Sequence, residues 1–425
     1  MKLINVHQVV ARRLCLGCGA CFSVCPEGRI RLVDVVEEGI RPFIEPGGCR
    51  TCGTCLKACP GIYSSVTDFA WNLPQANAQS LKRWGLIIEL WEGYASDPEI
   101  RFKGSSGGLC TALSLFCLEQ GVAGGVLHVG SDPEQPWRNK AVRSMTRDDL
   151  VARTGSRYAP AAPGEGLRFI ENAADRSVFV GKPCDVASLR MVQQLRTEID
   201  RKTSLAIGFF CAGTPSTRGT LELLRKFGVE PDWAAEIRYR GMGWPGMATV
   251  RFKDHNRPPL KIAYKDSWGF LQKYRQLRCY LCPDGTGEFA DIACGDPWYR
   301  DIKEDEAGYS LILVRTERGR QILQSAITAG FIKAERAAPE ILEKSQVNLF
   351  GKRAAVWGRI LAFKLFGLPT PRYVGFTLFR HWLTLPPQEM ARSIFGTMRR
   401  IVRRQYYKPQ RFAHVAMGTG SNHDP

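Results

Sequence analysis

Eight of the fifteen cysteines fall into two copies of one spacing. The first copy is Cys15-Leu-Gly-Cys18-Gly-Ala-Cys21-Phe-Ser-Val-Cys25-Pro26, and the second is Cys49-Arg-Thr-Cys52-Gly-Thr-Cys55-Leu-Lys-Ala-Cys59-Pro60. In such runs the first three cysteines wrap three corners of one iron-sulfur cubane, and the fourth, carried away by its proline, ligates the other. The spacing therefore predicts one [4Fe-4S] cluster on Cys15, Cys18, Cys21 and Cys59 and a second on Cys49, Cys52, Cys55 and Cys25. Soft thiolates match iron-sulfide cores, and Gly17, Gly19 and Gly53 let the chain fold tightly around them. Paired CxxC units also bind zinc. Zinc, however, gives no reason for a third cysteine at the same interval followed by Cys-Pro, twice.

Residues 1–70 thus look like an α+β, ferredoxin-like two-cluster domain that moves electrons. At 425 residues the chain has room for roughly two to three domains, so a larger unit exchanges electrons with this one. Residues 1–13 lack the apolar stretch of a secretory signal, and cysteines spaced as metal ligands argue against a disulfide framework. The expected location is the cytoplasm. No stretch reaches eighteen apolar residues without a charge; the most apolar window, 354–368, is broken by Arg359 and Lys364.

The net charge of +18 is concentrated at one end. From Leu349 onward thirteen lysines and arginines face two acids, which accounts for eleven of the eighteen charges. Within this helical C-terminal extension, 349–425, Ile394, Phe395, Met398, Ile401 and Val402 share one helical face. Arg392, Arg399, Arg400, Arg403 and Arg404 lie on the other. A basic amphipathic helix can lie on the anionic inner membrane surface as a peripheral contact, dock an acidic partner, or cap the protein's own body. Nucleic acid is not expected, because no recognised module accompanies the charge.

Residues 71–90, polar and aperiodic around Pro74, read as a linker. From 91 to 348 short apolar runs alternate with helical patterns. Val126–Val129, Ser177–Val180, Leu205–Phe210, Ala248–Phe252 and Leu311–Val314 are strand-like, whereas Leu109–Gln120, Asp185–Leu195, Thr217–Phe227 and Arg318–Ala329 are helix-like. This alternation predicts an α/β domain with a mixed sheet and ligands at the carboxyl ends of strands.

Gly104-Ser105-Ser106-Gly107-Gly108 comes directly before one of these helices. A glycine-rich turn at a helix N-terminus gathers free N–H groups that can hold a phosphate, although the same turn also serves as a plain N-cap. Gly155-Ser156-Arg157-Tyr158 offers similar chemistry with a cation and an aromatic ring. Together the two can hold a flavin nucleotide.

Cys110 and Cys117, seven apart on one apolar helix, read as core residues. Cys184 and Cys211 each follow a strand, Cys279-Tyr-Leu-Cys282 is a CxxC pair in a polar loop, and Cys294 comes after Ala290-Asp291-Ile292-Ala293. Four of these last five can hold one more [4Fe-4S] cluster. The alternative is a scatter of buried thiols with a chance CxxC.

At these motifs the chain resembles the β-subunit family of coenzyme F420 hydrogenases and dehydrogenases, from about Cys15 to Val347. Gly104 to Gly108, Thr154 to Tyr158, Gly181-Lys182-Pro183-Cys184, Cys211-Ala-Gly, Cys279 to Cys282, Ala290 to Ile292 and Gly295-Asp296-Pro297-Trp298 carry the resemblance. It implies a flavin- and iron-sulfur-dependent oxidoreductase with FAD against the α/β domain. It also implies a third cluster on Cys184, Cys211, Cys279 and Cys282 rather than Cys294, and a small-molecule substrate, a deazaflavin or another organic compound. The redox partner would be a ferredoxin or a complex subunit. A flavin exchanges two electrons with its substrate and each cluster passes one, so the flavin splits the pair and the clusters relay it. Lys182, Asp185, Asp291 and Asp296 lie beside this site, but none stands out as catalytic acid or base. The alternative function is an electron-transfer subunit without chemistry of its own. The basic extension is of a kind seen in bacterial members that serve polysaccharide or other biosynthesis.

Overall fold

A computed structural model describes residues 3–45, 47–69, 83–302 and 306–410. Most of the expected linker, 71–82, and the end of the basic extension, 411–425, lie outside the described residues.

Each cysteine run forms a short helix entered through a left-handed glycine: Gly19 (φ 84°) precedes Ala20–Val24, and Gly53 (φ 73°) precedes Thr54–Lys57. Glycine takes this conformation without a Cβ clash. Between the runs, β1 (Ile30–Val35) and β2 (Gly39–Ile44) pair antiparallel, and β3 (Tyr63–Ser65) follows. The chain then supplies β4 (Glu89–Ala95), β5 (Gly125–Ser131), β6 (Asn139–Ser144), β7 (Ser177–Gly181) and β8 (Thr203–Phe209). Next come β9 (Ala234–Arg238), β10 (Met247–Phe252) and β11 (Leu260–Ala263), then β12 (Ile292–Gly295), β13 (Ser310–Val314), β14 (Ile332–Arg336) and β15 (Arg372–Val374).

Eight strands form one mixed sheet in the order β14-β4-β13-β12-β8-β7-β5-β6. Its centre is parallel, β12 to β8 to β7 to β5, and both flanks are antiparallel. Strands covered on both faces read as unbroken apolar runs, and β13 is buried at every residue. The run at Ala248–Phe252 lies elsewhere: β9, β10 and β11 make a separate antiparallel sheet.

On one face of the main sheet Leu113 and Leu323, from helices Leu109–Glu119 and Glu317–Thr328, pack with Val126, Val178, Leu205 and Ile312. On the other face Leu127, Phe179 and Ala206 share a core with Leu189 of helix Pro183–Gln193 and with Ala20, Val24 and Ala58 of the cysteine-rich segment. That segment is therefore part of the sheet's packing. Ser23 Oγ donates to the Gly164 carbonyl at 2.6 Å, and Gly164 N donates to the Cys18 carbonyl at 2.8 Å.

The C-terminal extension returns to the same segment. β15 pairs parallel with β3, and Ile401 of helix Pro387–Arg403 is buried with Val9, Leu14, Leu281, Ala362 and Phe363. Ile394 and Met398 pack against this cluster, while Phe395 (67 % exposed) and Val402 (55 %) stay outside. Three of the five apolar residues that sequence offers to a membrane are thus taken up by the protein itself, because the helix finds an apolar surface on its own chain. No helix among the described residues is long and apolar enough to cross a membrane.

Removing buried side-chain volume at this clasp is destabilising. Ile401→Ala should lower stability by about 2–5 kcal/mol. Phe395→Ala, on the exposed side of the same helix, should stay within about 0.5 kcal/mol of wild type. Midpoints of urea unfolding for the two variants provide the comparison.

Candidate functional site

Cys15, Cys18, Cys21 and Cys59 line one pocket together with Val6, Val9, Leu16 and Pro42. The first three come from one run and the fourth from the other. Cys55 in turn lies in the electrostatic reach of Cys49, Cys52 and Cys25. The structure thus gathers two four-thiol groups, each spanning both runs. Burial raises the Cys18 thiol to about 11, and burial with the neighbouring thiols Cys18, Cys15 and Cys59 lifts Cys21 well above its ordinary value. Thiolates packed in this way need a cationic body among them, which an iron-sulfide core supplies. Cys52 is exposed and Cys55 buried, so the second group reaches the surface on one side.

A second convergence lies at the carboxyl ends of adjacent parallel strands. Cys184 sits in the first turn of helix Pro183–Gln193 just after β7, and Cys211 follows β8. Cys279 lies in the short helix Leu277–Tyr280, with Cys282 in the loop beyond. Cys211 N donates to the Gly285 carbonyl at 2.9 Å and Thr214 N to Cys279 Sγ at 3.4 Å, which draws the loop over the strand end. Cys184 feels Cys211 and Cys282, and Cys211 feels Cys279 and Cys282. Burial raises Cys211 to about 11 against the opposing pull of Lys352. Cys184 and Cys282 line a space that also meets Leu16, Pro60, Arg278 and Tyr373, and Cys211 and Cys279 stand close to these two thiols. Among the described residues, no three His, Cys, Asp or Glu side chains close tightly enough to hold a single metal ion.

Cys294 does not join this group. It lies within β12, is 5 % exposed and faces the opposite side of the sheet, beside Cys110. Cys117 is fully buried on the same side.

Charged groups order the surroundings. Lys182 Nζ donates to Asp185 Oδ2 at 2.6 Å. Burial disfavours this ammonium, yet Asp185 and the thiols Cys184 and Cys211 outweigh burial and hold it above the usual lysine range. Asp291 accepts from Ala206 N at 2.8 Å and pairs with Arg190 at 3.0 Å, so its oxygens hold the sheet together.

The two glycine-serine motifs meet: Ser156 N donates to Ser105 Oγ at 2.6 Å. Helix Leu109–Glu119 starts at Gly108 (φ 74°) with no side-chain cap, which leaves its first N–H groups for another acceptor. The glycines themselves answer to packing. A Cβ on Gly107 would come within 2.7 Å of the Gly93 carbonyl oxygen and 2.9 Å of Ser310 N, so the missing side chain makes room for β4 and β13. Gly104 is equally close to Gly108. Arg157 is also committed elsewhere: it donates to Asn139 Oδ1, to the Ile237 carbonyl at 3.2 Å and to the Pro136 carbonyl at 2.7 Å. It ties the small sheet to the main one.

Sequence reading missed the residues that bind Tyr158 to Asp296. Arg240, 2 % exposed, forks onto Asp296 at 2.9 and 2.7 Å and reaches the Tyr158 hydroxyl at 3.4 Å. Trp244 Nε1 donates to Asp296 Oδ1 at 2.9 Å, and Trp298 stacks on Tyr264 with ring centres 5.6 Å apart. The signal was the glycine- and aromatic-rich stretch Arg240-Gly-Met-Gly-Trp244. Asp296 follows β12, which neighbours β8, so Cys184, Cys211 and Asp296 emerge side by side from β7, β8 and β12.

Comparison with known proteins gives the family. Residues 14–61 match the model of a 4Fe-4S dicluster domain. Residues 90–167 and 174–340 match the N-terminal and C-terminal models of the coenzyme F420 hydrogenase/dehydrogenase beta subunit, together more than half of the chain. The F420-dependent formate dehydrogenase 1 subunit beta of Methanococcus maripaludis is 29 % identical over 259 residues, which cover 60 % of this chain and 63 % of that protein. The coenzyme F420 hydrogenase subunit beta of Methanothermobacter thermautotrophicus is 26 % identical over 300 residues, 68 % of this chain and 99 % of that one. A chain of the F420-reducing [NiFe] hydrogenase complex from Methanosarcina barkeri has the same fold, with a TM-score of 0.55 at 22 % identity, over 68 % of this chain and 96 % of its own. With both halves of one subunit model and the dicluster segment present in a single chain, this protein belongs to the coenzyme F420 hydrogenase/dehydrogenase beta-subunit family.

Proposed function

We propose that this chain is an oxidoreductase that relays single electrons between FAD and a protein partner through three [4Fe-4S] clusters. The observation that carries the reading is that Leu16 lines both the pocket of Cys15, Cys18, Cys21 and Cys59 and the space beside Cys184 and Cys282. Leu16 stands beside ligands of both four-thiol groups. Electrons entering at the strand ends thus have a short route to the cysteine-rich segment and onward to the Cys49, Cys52, Cys55 and Cys25 group. There Cys52 reaches the surface, where a ferredoxin or a complex subunit can meet it.

FAD, when bound, exchanges a hydride with substrate and single electrons with iron-sulfur centres. Three features of the chain support this reading. The uncapped start of helix Leu109–Glu119 would hold a phosphate of the nucleotide, and Ser105 with Ser156 closes the turn beside it. The Arg240–Asp296 pair, with Trp244, Trp298 and Tyr264 around it, offers aromatic surface beside the strand ends. The substrate is a deazaflavin or another small organic molecule; the relatives' names favour the first. Domains run 1–70, 71–90, 91–348 and 349–425 in this reading. On the outer face of the last helix Phe395 and Val402 stand exposed among Arg392, Arg399 and Arg403, which suits a shallow contact with anionic lipid.

Three measurements test the relay. Anaerobically reconstituted protein should carry about twelve irons, four for each of three centres. Cys279→Ser with Cys282→Ser should lower this to about eight and stop electron flow from flavin, with both remaining clusters still reducible by dithionite. Eight irons in wild type would remove the third cluster.

Cys25→Ser should damage the cluster of the distant run, seen by electron paramagnetic resonance as loss of the signal that Cys49→Ser also removes. Loss of the signal shared with Cys15→Ser would reverse the assignment.

Ser105→Val removes the acceptor of the Ser156 N–H and should give iron-replete protein with less FAD. Stoichiometric FAD in wild type would set aside an electron-transfer subunit without chemistry of its own, and full FAD in the variant would move the nucleotide elsewhere.

A further inference from the structure

Arg278 is one of the largest side chains wholly removed from water, at 2 % exposure. A guanidinium has five N–H donors and a permanent charge, and burial makes both costly unless each is answered. Part of the answer lies in the cysteine-rich segment. Nε donates to the Gly61 carbonyl at 3.0 Å and Nη2 to the Pro60 carbonyl at 3.1 Å, immediately after Cys59. The Tyr373 ring lies 5.5 Å below the guanidinium. Nη1 is buried with no partner at good hydrogen-bond geometry; the neighbouring Tyr373 hydroxyl donates instead to the Leu281 carbonyl at 2.7 Å. Among the described residues no carboxylate pairs with the charge; the groups that favour it are Tyr373, Cys282 and Cys279.

The unanswered N–H and the unpaired charge belong to a residue that lines the same space as Cys184 and Cys282. Lys182 lies beside Cys184 and Cys211, and Lys352 beside Cys211 and Cys282. Lys182 already has Asp185 as partner. Lys352 is only half-buried, so Arg278 stands out among the three as the fully buried cation that no carboxylate answers.

We propose that Arg278 is the charge-balancing donor of the centre held by Cys184, Cys211, Cys279 and Cys282, and that it raises the reduction potential of that centre. This rests on the three-cluster reading above. Reduction adds one electron and one unit of negative charge to a four-thiolate cluster, with no bond made or broken at Arg278. A fixed buried cation stabilises the more negative state, and hydrogen bonds to cluster or ligand sulfur act in the same direction. Because its other donors hold the Pro60 and Gly61 carbonyls, the charge is pinned between the two four-thiol groups and cannot swing away to water.

The test is a potentiometric titration of full-length, anaerobically reconstituted protein, followed by electron paramagnetic resonance with dithionite as reductant. Wild type, Arg278→Gln and Arg278→Lys are compared, with iron counted first. In Arg278→Gln, with about twelve irons retained, the midpoint of the signal abolished by Cys279→Ser should move to more negative potential. The signal of the Cys49 centre should stay in place. Arg278→Lys keeps the charge without the fork and should remain near wild type; Arg278→Met, which removes charge and donors and should shift the same midpoint to more negative potential, serves as the deciding variant should Arg278→Gln not fold. An unmoved midpoint in an iron-replete Arg278→Gln would overturn the proposal, as would a negative shift in Arg278→Lys equal to that of Gln. A wild-type count of eight irons removes the underlying cluster instead, so the two failures are told apart before any potential is read.

Discussion

Thiolates repel one another, and a protein interior makes that repulsion worse, because low dielectric both strengthens the Coulomb term and withholds hydration. This chain nevertheless buries Cys18, Cys21 and Cys55 and brings further cysteines up to them. Burial pushes these thiols toward their protonated forms, and neighbouring thiols add to it, as at Cys21. Such an arrangement persists with charged ligands only around a cationic core, so folding of the cysteine-rich segment and assembly of its clusters are one equilibrium. The rest of the molecule depends on it, since Ala20, Val24 and Ala58 supply part of the core beneath the main sheet.

The two kinds of four-thiol group are balanced differently. Around Cys15, Cys18, Cys21 and Cys59 the walls are apolar, with Val6, Val9 and Leu16. Around Cys184, Cys211, Cys279 and Cys282 the chain places Lys182, Lys352 and Arg278. Net charge and hydrogen bonding are among the terms that separate cluster potentials. Sheet topology does the placing: β7, β8 and β12 are parallel neighbours, and their carboxyl ends deliver Cys184, Cys211 and Asp296 to one side.

Much of this was legible before any fold was known. β5, β7, β8 and β13 are apolar runs, and their helices carry plain periodicity. β4 was hidden because its buried Glu89 and Glu92 break the apolar pattern; they are tolerated through pairing with Arg336 and with Arg300 at 2.5 and 2.8 Å. β12 is only four residues long, too short for periodicity to mark. Arg157 and Gly107 also answer to contacts their local motifs do not show: the Pro136 carbonyl and the Gly93 carbonyl that meet them come from elsewhere in the chain.

The sequence by itself determined the ligand chemistry, because metal-binding spacing is local: three cysteines at fixed intervals and a Cys-Pro can wrap a cubane whatever surrounds them. It also marked β5, β7, β8 and β13 as strands by their apolar runs. Tertiary structure alone decided what depends on contacts between distant residues. It turned the apolar face of helix Pro387–Arg403 inward onto Val9 and Leu14, sent Cys294 to the side of the sheet away from Cys184, and set Arg278 between Pro60 and Cys282. A helical face, a lone thiol or an arginine beside a CxxC has several stable uses, and only the surface that meets it selects one.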